Sequence, residues 1–214
     1  EGNQFIGLSS PEPLAAGQGV LRIQYRGKID ALSTRGVFRQ QEGGEWYVVT
    51  QFEALSARRA FPCFDEPSWK TPWQLTLDVA PGNMAFSNTP VAAESVLENG
   101  MKRFAFARTL PLPSYLVAFA VGPFDVIDGG TAGRNRTVLR YVVPKGRGAE
   151  ARYAQQVTPK LLEILEDYFG TPYPFEKLDS VVIPQTVNFG AMENPGMITY
   201  VGTRSYGLYL YHWP

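Results

Sequence analysis

The chain has 214 residues, with 20 basic and 20 acidic side chains and a formal net charge of zero. Hydrophobic residues make up 44% and charged residues 19%, a globular balance that excludes wholesale disorder and allows one large or two small domains with a buried core. Without a cationic excess, nucleic acid and anionic membrane are excluded as main partners, and no apolar run approaches the roughly 18 residues of a membrane span.

In chain order, residues 1–145 read as short strands separated by Gly, Pro and Asn. Leu21 to Tyr25 and Gln74 to Val79 alternate in polarity, and turn residues such as Gly43-Gly44, Pro81-Gly82 and Asn99-Gly100 punctuate them. This pattern predicts an antiparallel β-sandwich. In Trp46 to Glu53, period-two alternation puts Tyr47, Val49, Gln51 and Glu53 on one face, with Gln51 and Glu53 about 7 Å apart. Ser114 to Val121 hardly alternates, which predicts a strand buried on both faces.

The style changes near residue 145. Ala149 to Phe169 is helical, with Val157, Leu161, Leu162, Leu165, Tyr168 and Phe169 at spacings of threes and fours. Pro159 predicts a kink or a fresh start, and Gly170 a C-cap that Pro172 and Pro174 make final. Leu178 to Ile183 and Met197 to Val201 read as strands bracketing Gln185 to Gly196. Residues 146–203 therefore read as the opening of an α/β domain, with one helix and two or three strands. The expected fold is mainly β.

Some polar residues stand outside this pattern. Gln51 and Glu53 at a strand end read plainly as a strand emerging into solvent. Arg58-Arg59 and Asp65-Glu66, around Phe61-Pro62, read as a salt-bridged turn. Asn188 to Gly196 reads as a turn, with Glu193 an exposed carboxylate. Cys63, flanked by aromatics, reads as a buried inert thiol, and a lone thiol makes no internal disulfide.

Together these segments resemble a family. Gly190-Ala191-Met192-Glu193-Asn194 is identical to the exopeptidase motif of the M1 zinc aminopeptidases. Thr50 to Ala54 with Ala57 to Pro67 resembles that family's N-terminal-domain signature. Tyr115 to Phe119 with Val121 to Phe124 is similar to its later buried strand, and Tyr168 to Pro174 leads into the exopeptidase strand as the family's does. The blocks are colinear from about residue 20 to residue 203.

The resemblance implies a thermolysin-like catalytic domain after the sandwich, and a set of substrate-binding residues: Gln51, Glu53, Gly190, Ala191, Met192, Glu193 and Asn194. The chemistry suits those residue types. A peptide's free α-ammonium has three N–H donors and no acceptor, and two carboxylates with an amide oxygen supply matching acceptors. Gly190 and Ala191 leave room for a substrate backbone alongside a strand edge. Met192 suits the wall of a side-chain pocket.

The resemblance also implies a zinc cofactor, peptide substrates, and further catalytic and C-terminal domains as partners. The family's His-Glu-x-x-His motif is absent from this chain, so catalytic and metal residues are expected elsewhere in a longer parent. One His, His212, and one Cys cannot furnish the about three ligands of a conventional catalytic zinc. Ser205 to Pro214 departs from the family, so residues 204–214 read as a tail foreign to it, and His212 reads as a surface residue. No signal peptide is visible at Glu1, and a soluble protein of the cytoplasm or the periplasm fits equally. A non-catalytic relative acting as an interaction scaffold and an independent β-sandwich binding module are the rival readings; a leukotriene-type epoxide hydrolase is disfavoured by Glu53 and Ala191. The purified chain is expected to hold no stoichiometric zinc and to release no amino-acyl chromophore; elemental analysis near one zinc per chain, with turnover, would contradict the ligand count.

Overall fold

The computed structural model describes residues 5–13, 15–185 and 190–201, with Val201 described by its backbone alone. Among the described residues strands dominate, with one α-helix, as the sequence predicts. The strands are β1 (Gly36–Glu42), β2 (Glu45–Gln51), β3 (Thr76–Val79), β4 (Met84–Ser87), β5 (Val91–Val96), β6 (Lys102–Phe106), β7 (Phe119–Gly122), β8 (Phe124–Ala132), β9 (Thr137–Pro144), β10 (Lys177–Ile183), β11 (Ala191–Met192) and β12 (Met197–Val201). Helix α1 spans Arg152–Phe169.

Three sheets form. The first, in order β1-β2-β7-β4, is antiparallel, as is the second, β3-β6-β5. The third runs β11-β12-β10-β9-β8; its three inner strands are parallel and both outer ones antiparallel. The β1–β2 hairpin closes through Gly43-Gly44, both at positive φ, the conformation a two-residue hairpin turn demands.

Core clusters stack these sheets into layers. Val79, Phe104 and Phe106 meet Ala85 between the second and first sheets. Tyr47, Phe86 and Ala120 meet Phe124, Val142, Val181 and Met197 between the first and third. The far face of the third sheet, carrying Leu139, Tyr141, Leu178 and Tyr200, packs on Ala154 and Leu162 of α1. The first sheet is thus covered on both faces.

Several sequence expectations meet a different structure. Leu21 to Tyr25 forms no strand and is exposed, because alternation permits a strand but a paired neighbour makes one. Ser114–Leu116 is a 3-10 turn, and the strand starts only at Phe119. Polar groups of that turn bond to side chains instead of a ladder: Ser114 Oγ donates to Asp65 Oδ1 at 2.7 Å, and the Leu116 carbonyl accepts from Asn88 at 2.9 Å.

Helix α1 runs through Pro159 without a fresh start and ends at Gly170 in the left-handed conformation. Its buried residues, Ala154, Thr158, Leu162 and Glu166, recur every fourth position, while Tyr168 lies 80% exposed. The Glu166 carboxylate is buried because it accepts from the Tyr173 N–H at 2.8 Å and the Arg134 N–H at 2.7 Å. The boundary expected near residue 145 falls within the region of the third sheet: β8 and β9 precede it, yet β9 pairs with β10. Sheet membership changes between Gly122 and Phe124, a step that alternation cannot register. The expectations on Asn188, Phe189 and the 204–214 tail, His212 included, lie outside the described residues. Among the described residues no helix is long and apolar enough to cross a membrane.

Leu162→Ala is expected to cost about 2–5 kcal/mol in urea denaturation, as a fully buried aliphatic, and Tyr168→Ala less than about 0.5 kcal/mol. Equal losses would mean that α1 does not dock by the face described.

Candidate functional site

The N-terminal part of the site lies where β2 ends. Along β2, Tyr47, Val49 and Gln51 are buried on the face turned to the third sheet, Val49 packing on Ile183. Gln51 is only 6% exposed, and its Oε1 has no hydrogen-bond partner among the described residues. An unpaired buried acceptor costs about 1–3 kcal/mol, so a ligand donor there would relieve a standing penalty. Gln51 and Glu53 do not sit as successive residues of one strand face. The strand ends at Gln51, Phe52 turns into a core with Ala57 and Val117, and Glu53 is exposed beyond it.

Beside this end runs the segment from Ser114 to Ala118. Thr50 fixes their separation: its Oγ1 accepts from the Phe119 N–H at 3.0 Å. The Arg58 and Asp65 pair supports the same segment from behind. The Asp65 carboxylate accepts from the Arg58 backbone N–H at 3.0 Å, from its Nε at 2.9 Å and from Ser114 Oγ at 2.7 Å. The salt-bridged turn expected from sequence therefore exists, and it orients the residue next to Ser114, Tyr115. Cys63 is half-buried, not fully buried, and its thiol is pushed up to about 11 by burial and then by the Asp65 carboxylate, which leaves it unreactive.

The other side of the site is the segment before β12. Ala191 pairs with Tyr200 and Met192 with Thr199, so Met192 and Thr199 share the face toward the first sheet. Met192 is buried; Gly190, Ala191 and Glu193 are half-buried. Asn194 is buried and its Nδ2 donates to the Leu116 carbonyl at 3.2 Å, joining this segment to the Tyr115 turn.

Tyr115 is where the two halves meet. Its phenol is pushed above the ordinary tyrosine value by burial first, then by the carboxylates of Glu193 and of Glu53. Both acids act electrostatically on one side chain, although 140 positions separate them in sequence. Two carboxylates and an unpaired amide oxygen are the acceptor types that suit a cation with several N–H donors. Among the described residues no group of three or more His, Cys, Asp or Glu could hold a metal ion.

The sequence pattern did not single out Tyr115, Asn88 or Lys177 as site residues. Lys177 and Asp179 did leave a signal: two charges at alternate positions on one strand face whose other residues, Val181 and Ile183, are apolar.

Comparison with known proteins gives this geometry a context. Residues 1–116 match the Peptidase M1 N-terminal domain, and residues 153–205 match the Peptidase family M1 domain. Aminopeptidase M1-B of Oryza sativa subsp. japonica is 40% identical over 205 residues, covering 94% of this chain and 23% of the relative. Aminopeptidase N of Acetobacter pasteurianus is 34% identical over 199 residues, covering 91% of this chain and 55% of the relative. Glutamyl aminopeptidase of Rattus norvegicus is 34% identical over 205 residues, covering 92% and 21%. The chain thus spans about a quarter of the length of the rice relative.

The placement of Tyr115 is open to direct measurement. A neighbouring negative charge disfavours the phenolate, so removing one lowers the phenol's pKa. Glu193→Gln and Glu53→Gln should each shift the Tyr115 ring-carbon NMR titration to lower pH. An unmoved titration in either variant would place that acid away from Tyr115.

Proposed function

This chain belongs to peptidase family M1, and from that premise we propose that it is the part of a zinc-dependent aminopeptidase that grips the free N-terminal amine of a peptide. The observation that carries the reading is the buried Gln51 amide oxygen without a hydrogen-bond partner among the described residues, and the action of both the Glu53 and Glu193 carboxylates on the Tyr115 phenol supports it. Three acceptors from two sheets would receive the three N–H donors of an α-ammonium. Internal peptide segments carry no such cation, and leaving these groups unpaired would penalise them.

The remaining motif residues take supporting roles on this reading. Gly190 and Ala191 leave the β11 edge open to a substrate backbone, which would add to it as an extended strand. Met192 would wall the pocket of the first side chain, where an unbranched thioether adapts to different shapes. Asn194 would act indirectly, holding the segment to Leu116.

The zinc that supplies the hydrolytic chemistry of such an enzyme does not fit the residues present. The sequence has one His and one Cys, and the described residues offer no ligand cluster, so no residue here is assigned to the metal. The part of this chain is binding and orientation: it fixes which peptide bond is presented, and the rest of a longer protein would complete the reaction. A scaffold without activity is less well supported, because both acids and the amide that an amine needs are retained.

In the complete enzyme, Glu193→Ala is expected to cost about 2–5 kcal/mol, or roughly 30-fold to several-thousand-fold in kcat/KM on free-amine substrates. Glu53→Ala should act in the same direction, and the pair should be non-additive because both acids hold one cation. N-acetylated substrates should be poor for the wild type and nearly indifferent to either change. A loss below threefold for Glu193→Ala would remove that residue from amine recognition.

A further inference from the structure

Gly196 closes the turn between Glu193 and β12, and the groups around it are unusually constrained. The buried Lys177 ammonium donates to the Gly196 carbonyl at 2.7 Å, to the Ser87 carbonyl at 2.7 Å and to Asp179 Oδ2 at 2.8 Å. All three ammonium N–H groups are thereby used, and one ion spans β10, the end of β4 in the first sheet, and the turn. Asp179 is held in turn by Arg140, whose Nε and Nη2 each donate to it at 2.7 Å.

Next to Ser87, the buried Asn88 ties the same parts a second time. Its Nδ2 donates to the Pro195 carbonyl at 2.9 Å and to the Leu116 carbonyl at 2.9 Å, while its Oδ1 accepts from the Ala118 N–H at 2.9 Å. Gly196 makes the approach feasible: it sits at φ 70°, and a Cβ there would overlap the Asn88 carbonyl oxygen. The Tyr173 hydroxyl accepts the Gly196 N–H at 3.2 Å.

These contacts have one property in common. Through Lys177 and Asn88, the turn that carries Glu193 is tied to the end of β4 in the first sheet, which carries Gln51, and to the segment that carries Tyr115. We infer that Asn88, Lys177 and Gly196 form a clasp of positioning residues that sets Glu193 at working distance from Gln51 and Glu53, so that the three acceptors address one ammonium. None of the three touches the amine; their effect passes through the backbone at Pro195 and Gly196. The inference rests on the amine-binding reading proposed above.

The test asks what Glu193 is worth when the clasp is loosened, which a residue serving stability alone would leave unchanged. In the complete enzyme, Glu193→Ala is added to the wild type and to Gly196→Ala, Asn88→Ala, Lys177→Met and Gly170→Ala backgrounds. Gly170 is the control: it is also at φ 70°, but a Cβ there meets nothing within 4 Å. In the wild-type and Gly170→Ala backgrounds the added change should cost about 30-fold or more in kcat/KM on a free-amine substrate. In the three clasp backgrounds it should cost less than about threefold, because Glu193 no longer shares the cation with Glu53. Asn88→Ala and Lys177→Met add no bulk, so they carry the test if Gly196→Ala fails to fold. A full loss retained in the clasp backgrounds would overturn the inference. A loss below threefold already in the wild type would overturn the amine-binding reading instead.

Discussion

The contact on which this arrangement depends is a buried ammonium. Lys177 is 4% exposed and Asp179 has no exposure, yet both are charged groups on a strand face whose other residues, Val181 and Ile183, are apolar. Burial pulls the Lys177 pKa below its ordinary value, and the neighbouring Asp179 works against that shift. Desolvating such ions costs several kcal/mol each, which a hydrophobic substitute would avoid. What the ions supply is direction: an ammonium with three fixed acceptors defines where Ser87, Gly196 and Asp179 must lie, and apolar packing defines no such points.

The layered architecture explains why a polar clasp sits there at all. Apolar surfaces between the first and third sheets, Tyr47 and Phe86 against Val142 and Val181, hold the layers together without fixing their register closely. Hydrogen bonds from Lys177 and Asn88 cross the same interface at the end that carries the acids. Arg140 contributes to both kinds of contact, pairing with Asp179 while its guanidinium lies 5.6 Å from the centre of the Phe86 ring.

How far the sequence disclosed this structure depended on whether a feature was local. The hairpin at Gly43-Gly44, the αL stop at Gly170 and the strands Lys177–Ile183 and Met197–Val201 follow from residue chemistry within a few positions, and they were legible. Of Ser114 to Val121 only the part from Phe119 is strand; before it the Leu116 carbonyl and the Ser114 hydroxyl find Asp65, Asn88 and Asn194, partners that no window around the segment contains. The pairing of β9 with β10 across residue 145 is non-local in the same way, and no window of sequence contains it. Of the site, the motif residues could be found from resemblance, but the action of Glu53 and Glu193 on one phenol, that of Tyr115, required the fold.

The first sheet is covered on both faces, and the two covers come from different stretches of chain. The second sheet, on one side, is complete once Phe106 has been made, and the first sheet itself once Gly122 has. The cover for Tyr47, Phe38 and Phe86 begins only at Phe124 and ends with β12 at Val201. At about 5–20 residues per second of synthesis, that aromatic face waits roughly 4–16 s for the last strand of its cover. A nascent chain of this design therefore presents a sticky half-built sandwich on the ribosome for seconds, long enough for chaperone capture or for pairing with a neighbouring copy.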